Sequence, residues 1–289
     1  MKSMDTKGKL YLCATPIGNL EDITLRVLRI LSEVDLIAAE DTRHSIKLLN
    51  HYEIKTPMTS YHEHNKISKA ITLVESMKAG KNIALITDAG MPGISDPGEE
   101  LVALCYEEGI EVTVLPGASA VVSALALSGL ATRRFCFEGF LPTDKKLRTK
   151  ILNSLTEETR TIILYEAPHH LIKTLVEIHE TLGNRKVSLC KEITKKFENV
   201  KRNNLSNLID MLRNEDIKGE FVIVIEGKSF ETINEEKIKE WEKLSISEHI
   251  LHYVNKNIDK KDAMKLVAKD RGISKRDVYQ SNLENKEEY

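Results

Sequence analysis

Apolar runs and helical stripes alternate along most of the chain, with Pro/Gly turns between them. From Lys9 the order is the apolar run LYLCA, the turn TPIGN, a helical period over residues 23–31 and the strand-like VDLIAAE. A helical AITLVESMKAG, the strand NIALITDAG, a helix over residues 97–108 closed by Gly109, and the strand EVTVLPG follow. Runs such as IALIT and VTVL are apolar on both faces, which suits parallel strands covered by helices on each side. A second series starts at RFCFEGFL and continues through a helical segment over 145–155, the strand TIILYEAP and a helix over 171–182 ending at Gly183. It finishes with the strand KVSLCKEIT, a helix near 205–213 and the strand GEFVIVIEG. The pattern predicts an α/β protein of two tandem domains, 1–130 and 131–230. Their hinge falls at 128–134, where a small-residue helix gives way to Gly129, Arg133 and Arg134. After Gly227 the sequence becomes polar and Lys/Glu-rich, then shows two short amphipathic helices around Gly272, which predicts a small helical module over 240–289.

With 289 residues, 41% of them hydrophobic, the chain can build a core without disulfide or metal staples and is too apolar to be disordered. The longest apolar stretch, 112–130, is interrupted by Pro116, Gly117 and Gly129 and reads as strand, turn and buried helix rather than a membrane span. The N-terminal MKSMDTKGKLYLCATP has no apolar segment behind its lysines, which predicts no signal peptide and a cytoplasmic location. Cys13, Cys105, Cys136 and Cys190 stand far apart within or beside apolar runs and are expected to be core thiols. The formal charge is only −2, yet residues 185–202 hold seven basic side chains against two acids, and residues 256–276 eight against three. Each island carries a local +5. A solvated helix face is the plain reading of such islands, and a polyanion-binding surface the sharper one.

Neither a Walker lysine loop nor a Rossmann fingerprint is present. The glycine-rich element is TDAGMPGISDPG, residues 87–98, placed after a buried strand and before a helix. In open α/β sheets ligands bind beyond the carboxyl ends of strands, where glycine lets backbone approach them closely. Thr15-Pro16-Ile17-Gly18-Asn19 and Pro116-Gly117-Ala118-Ser119-Ala120 close two further strands in the same style. With no lysine in any of the three, they suit a nucleoside or amino-acid ligand gripped by backbone groups rather than a triphosphate. A polar constellation follows another strand, Glu40-Asp41-Thr42-Arg43-His44, with Ser60-Tyr61-His62-Glu63-His64-Asn65 further on. Acids, an arginine and histidines at strand ends can orient or deprotonate a hydroxyl. Equally, Glu40 or Asp41 could be a helix N-cap paired with Arg43. His62 and His64 lack a third ligand at metal spacing, so no metal is expected. Tyr165-Glu166-Ala167-Pro168-His169-His170 closes a strand of the second series and faces a cleft if the two domains pack edge to edge, or is a helix-capping turn.

The segments LYLCATPIGNLEDITLRVLRIL, LIAAEDTRHSIKLLNHY, SYHEHN, ITDAGMPGISDPG, LPGASA, FEGFLP and LYEAPHH, in this order, closely resemble the ribosomal RNA small subunit methyltransferase I family of the tetrapyrrole methylase superfamily. The resemblance covers nearly the whole chain. It implies two α/β domains with a cofactor cleft between them, and transfer of a methyl group from S-adenosylmethionine to the ribose 2′-hydroxyl of a cytidine in 16S rRNA of the small ribosomal subunit. Cofactor contacts would then fall on Pro16, Ile17 and Gly18, on Gly90, Met91, Pro92, Ile94 and Ser95, on Ser119 and Ala120, and near Tyr165. Superfamily members usually have Gly-Asp-Pro where this chain has Gly90-Met91-Pro92, which leaves Asp88 to refill the role of that acid. Glu40, Asp41, Arg43, His62 and Glu63 are the candidates for hydroxyl activation and substrate positioning. His44, Asn65, Glu166 and His169 join them as substrate contacts. The basic residues that the family places straight after FLP are displaced here by Thr143-Asp144, so Lys145, Lys146 and Arg148 are the nearest RNA-contact candidates. The tail DAMKLVAKDRGISKRDVYQSNL looks helix-turn-helix-like and would dock RNA through Lys275 and Arg276. A homodimer is the superfamily expectation. Two other readings keep part of this picture: methylation of a precorrin-like macrocycle, or a non-catalytic RNA-binding protein that senses S-adenosylmethionine.

Overall fold

The computed structural model describes residues 7–284. Strands β1 (Lys9–Cys13), β2 (Leu36–Ala39), β3 (Met58–Ser60), β4 (Ile83–Ile86) and β5 (Glu111–Leu115) form one sheet in the order β3-β2-β4-β1-β5, every pair parallel. Helices α1 (Leu25–Glu33), α2 (Thr42–His51), α3 (Lys66–Lys78), α4 (Glu99–Glu107) and α5 (Ala120–Ser128) connect and follow them. Side chains alternate across the sheet. Leu10, Ala38, Ile83 and Leu85 pack with Leu73, Met77 and Leu101, whereas Cys13, Ile37, Ala39, Ala84 and Ile86 pack with Val27, Leu31 and Leu49. Helices therefore cover both faces, which is why β4 is buried at all four positions and reads as an unbroken apolar run.

The second sheet comprises β6 (Phe135–Phe140), β7 (Thr161–Glu166), β8 (Lys186–Lys191), β9 (Asn199–Asn204) and β10 (Phe221–Ile225), in the order β6-β7-β10-β8-β9. Only β6 and β7 run parallel; β7/β10, β10/β8 and β8/β9 are antiparallel. Helices α6 (Lys145–Ser154), α7 (Leu171–Leu182) and α8 (Leu205–Leu212) belong to this half. The polar strand NVKRNN, β9, pairs along β8 at the sheet edge, where one exposed face removes the need for an apolar run. Helix α5 packs Val121, Ala124 and Leu125 against Ile163, Cys190, Val222 and Val224 of the second sheet. Both sheets accordingly close into one compact unit, made of the chain up to Asn153 together with Thr161–Glu226.

The other compact unit takes Ser154–Arg160 and the chain from Gly227. Its helices are α9 (Phe230–Glu242), α10 (Ile246–Val254), α11 (Lys260–Arg271) and α12 (Lys275–Glu284), around a core of Ile250, Ala263, Val267, Ala268 and Val278. The two helices expected around Gly272 are α11 and α12, and Gly272 ends α11 at φ +64°. Helix α10 opens with a reciprocal Ser245/Glu248 capping box. His249, fully buried, stacks on Trp241 with ring centroids 3.8 Å apart, and Arg271 donates to His249 Nδ1 at 3.2 Å and to the Trp241 carbonyl at 2.6 Å. No helix among the described residues is long and apolar enough to cross a membrane.

Candidate functional site

Strands β1 and β4 are neighbours, yet β1 leads through α1 to β2 on one side and β4 leads through α4 to β5 on the other. Where connections part in this way a crevice opens beyond the strand ends. The two turns meet there. The Thr15 amide donates to the Gly90 carbonyl at 2.8 Å, the Gly90 amide donates back to the Thr15 carbonyl at 3.1 Å, and Thr15 Oγ1 donates to the Thr87 carbonyl at 3.0 Å. Gly90 has φ +87°, and a Cβ on it would stand 3.2 Å from Ile17 Cγ2. Backbone rather than side chain thus borders the crevice at this point.

A cavity of about 420 Å³ opens beside these turns. Ile17, Glu40, residues 87–91, Ile94, Ser95, Asp96, Ser119 and Ala120 line it from the first sheet's side. Phe140, Tyr165, Glu166, Ala167, Pro168, Ile193, Glu220, Phe221 and Val222 line it from the second. A second cavity of about 550 Å³ adjoins it. It is bounded by residues 15–18, Leu20, one face of α2, Lys195 and Glu220, and it shares Ile17, Thr87, Asp88, Ala89 and Glu220 with the first. Of the residues expected around a cofactor, Ile17, Asp88, Gly90, Met91, Ile94, Ser95, Ser119, Ala120 and Tyr165 all line the first cavity. Pro16 and Gly18 face the second, and Pro92 lines neither.

The polar groups divide more sharply. Glu40 Oε2 accepts from Thr87 Oγ1 at 2.6 Å and from the Asp88 amide at 3.4 Å, so it holds the turn, while Asp88 Oδ1 accepts from the Asp41 amide at 3.2 Å. Burial, with Glu40 beside it, raises Asp88 above the ordinary carboxylate range. Burial raises Asp96 likewise and pushes the Tyr165 hydroxyl up to about 12. Asp41 is the N-cap of α2, accepting from the Arg43 amide at 2.8 Å and from its guanidinium at 2.7 and 3.0 Å. That pairing lowers Asp41 to about 2. Arg43 is otherwise 89% exposed, and neither residue lines either of these two cavities; the cap geometry describes both.

His62, Glu63 and Asn65 follow the edge strand β3 and also line neither cavity. Asn65 Oδ1 accepts from the His62 amide at 2.9 Å, and Glu63 pairs with Lys66 at 2.9 Å. Their place at the sheet edge, set by the strand order, separates them from the β1/β4 crevice. Arg148, expected to reach RNA, is instead 12% exposed, donating to Glu177 at 2.5 Å and to Thr174 Oγ1 at 2.6 Å. Thr174 donates in turn to Glu166, whose other oxygen accepts from the Ala167 amide at 2.8 Å. Glu166 therefore shapes the cavity wall from a buried network. His169 is exposed against His170, while Lys145 and Lys146 are exposed at the start of α6. Lys275 and Arg276 are exposed in the first turn of α12, which is capped reciprocally by Ser274 and Asp277.

The basic island at 185–202 lies on β8, β9 and the residues around them rather than on a helix face, and part of its charge is paired. Lys186 pairs with Glu226, Lys195 with Glu192 and Glu220, and Lys201 with Glu215, while Arg202 donates to the Ser128 carbonyl at 3.0 Å. Asp96, Ile193, Phe221 and Val222 are wall residues that sequence reasoning missed. Asp96 lay inside the glycine-rich turn already singled out, whereas the others carry only a core-strand signal. Among the described residues no His, Cys, Asp or Glu trio is arranged to hold a metal ion. Cys13, Cys105 and Cys190 are buried and Cys136 is half-buried, and no disulfide joins them.

Residues 9–209 match the family described as Tetrapyrrole (Corrin/Porphyrin) Methylases. The chain is 50% identical over 275 residues to "Ribosomal RNA small subunit methyltransferase I" of Halalkalibacterium halodurans, covering 95% of this chain and 94% of that one. It is 48% identical over 272 residues to the protein of that name from Bacillus subtilis, covering 94% and 93%. Among solved structures, diphthine synthase superposes with TM-score 0.60 at 16% identity, over 79% of this chain and 95% of that one. Uroporphyrin-III C-methyltransferase from Thermus thermophilus in complex with S-adenyl homocysteine superposes with TM-score 0.54 at 16% identity, over 75% and 97%. The structural neighbours fix the fold, and the near full-length identity fixes the branch within it: the chain belongs to the ribosomal RNA small subunit methyltransferase I family of the tetrapyrrole methylases.

Proposed function

We propose that this chain transfers the methyl group of S-adenosylmethionine to the ribose 2′-hydroxyl of a cytidine in 16S rRNA of the small ribosomal subunit. The observation that carries the reading is the β1/β4 crevice. Backbone from residues 88–91 and 119–120 and the apolar side chains of Ile17, Ile94, Ala120 and Val222 border a cavity within the ~300–1,000 Å³ common for small ligands. Glu40, Asp88, Asp96 and Glu220 make its polar lining predominantly acidic, which complements a ligand bearing sulfonium and ammonium charges. The cradle at Gly90, where a Cβ would press on Ile17, suits a ligand lying flat against backbone.

When bound, S-adenosylmethionine supplies an electrophilic methyl carbon. The protein's own work is to hold the ribose oxygen in line with that carbon and to take up its proton. Asp88 borders both cavities, and burial places its proton affinity nearer the working pH than that of an exposed carboxylate, so we assign it as proton acceptor. Glu40 fixes Asp88 through Thr87 and the Asp88 amide. Tyr165, wedged against Phe137 and Phe140 with ring centroids 4.9 and 5.4 Å away, forms a rigid apolar wall that excludes water.

Lys275 and Arg276 stand at the start of α12, where the helix dipole disfavours cations. That placement fits a role in contacting phosphates better than one in stability, and supports the helical tail as an RNA-docking module. A homodimer belongs to the same reading and rests on the superfamily resemblance; a cytoplasmic location belongs to it because the ribosomal substrate is there. The deciding experiment gives the protein radiolabelled S-adenosylmethionine with small ribosomal subunits and, in parallel, a porphyrinoid, then maps the label by mass. Label on one cytidine ribose of 16S rRNA is the expected result; label on a base or on the porphyrinoid would overturn it.

A further inference from the structure

The second cavity has features that a methyl-donor site does not call for. Helix α2 turns His44, Lys47 and His51 toward it, a spacing of three and four residues that puts all three on one helical face. All three are exposed, and Lys47 has no ion-pair partner among the described residues. Ser45, 2% exposed, also lines this cavity, and its Oγ has no hydrogen-bond partner among the described residues. A buried hydroxyl left unpaired is destabilising unless a ligand completes it. Asp88 forms part of the wall shared with the first cavity.

We propose that this second cavity holds the substrate nucleotide, its ribose against Asp88 and a flanking phosphate along the His44, Lys47 and His51 face of α2. The assignment rests on the methyl-transfer reading and names the subsite that delivers the hydroxyl. Lysine and imidazole N–H groups on one stripe match a phosphate's acceptor oxygens. The unpaired Ser45 hydroxyl offers one further donor or acceptor inside the pocket. The wall shared with the first cavity lets a hydroxyl in one chamber face a carbon in the other.

The test is the full-length triple variant His44→Ala, Lys47→Ala, His51→Ala, all exposed positions, assayed on small ribosomal subunits. KM for the subunit should rise by about 10-fold or more, and the salt dependence of binding should lose about one phosphate's worth of slope. The S-adenosylmethionine Kd measured by calorimetry should stay unchanged, and Lys47→Arg should restore most of the loss contributed by Lys47. Unchanged KM and salt slope, or a parallel loss of S-adenosylmethionine affinity, would overturn the assignment while leaving methyl transfer by the wild type intact. Titrating the wild type with a cytidine trinucleotide while following the α2 amides separates the two ideas. Shifts along residues 44–51 without any methyl transfer to rRNA would keep the subsite and refute the reading it rests on.

Discussion

Asp88 and Glu40 stand side by side in the crevice with different tasks, one reaching both cavities and the other tied to the turn. Asp88→Asn should lower kcat by about 10²-fold or more with a much smaller rise in the S-adenosylmethionine Kd, because Glu40, Asp96 and Glu220 keep the lining acidic. Parallel loss of both would make Asp88 a cofactor ligand instead. Because Asp88 must be ionised to accept a proton, and burial raises its pKa, kcat should fall with decreasing pH along a limb above the ordinary carboxylate value of about 4. Glu40→Gln removes the neighbouring negative charge and should move that limb down; a pH–rate profile reads both effects. Gly90→Ala tests the cradle differently. Its φ of +87° strains any other residue, and the added methyl crowds Ile17, so S-adenosylmethionine affinity should drop by about 10-fold in a calorimetric titration.

The His249 helix carries its own titration. Burial, aided by Arg271, lowers the imidazole's pKa below 6.5, so the folded module prefers the neutral ring. Its stabilisation is complete above the unfolded value of about 6.5 and declines as pH falls through the interval below it. Trp241, the chain's single tryptophan, stacks on that ring, so its fluorescence should report a melting temperature that drops from pH 7 to pH 5. His249→Phe should flatten the trend. In the central strand β10, Ile223→Ala removes a fully buried side chain between β7 and β8 and should cost about 2–5 kcal/mol in a denaturant titration. Strands such as β4 and β10 were legible because burial on both faces leaves an unbroken apolar run. The polar edge strand β9 and the three-residue β3 carry no such run. Helix α9 was hidden by its charged surface, and α2 by polar residues that look like a catalytic motif until Asp41 is seen capping it. The Pro/Gly turns of the crevice were legible for a related reason, since their backbone path demands those residues. Their division between two cavities was not, because it depends on a strand order that places β1 beside β4 and leaves His62 at the far edge.

Across the whole chain, the formal charge of −2 conceals ion pairs over residues 185–202 and exposed cations at the start of α12. Lys275→Glu with Arg276→Glu should weaken binding to small subunits and flatten its salt dependence, with S-adenosylmethionine affinity unchanged; filter binding at graded ionic strength measures it. Charge reversal is a cleaner test than truncation, because removing the chain from Gly227 also strips Ser154–Arg160 of the helices that complete their unit. That interleaving constrains how the protein is made. During synthesis Ser154–Arg160 emerge before β7 through β10, yet the helices with which they form a unit are translated only after β10. Leu155, buried in the finished molecule, belongs to a segment that waits through the completion of an entire sheet, so a ribosome stalled after Glu226 should hold a nascent chain open to proteases at that linker.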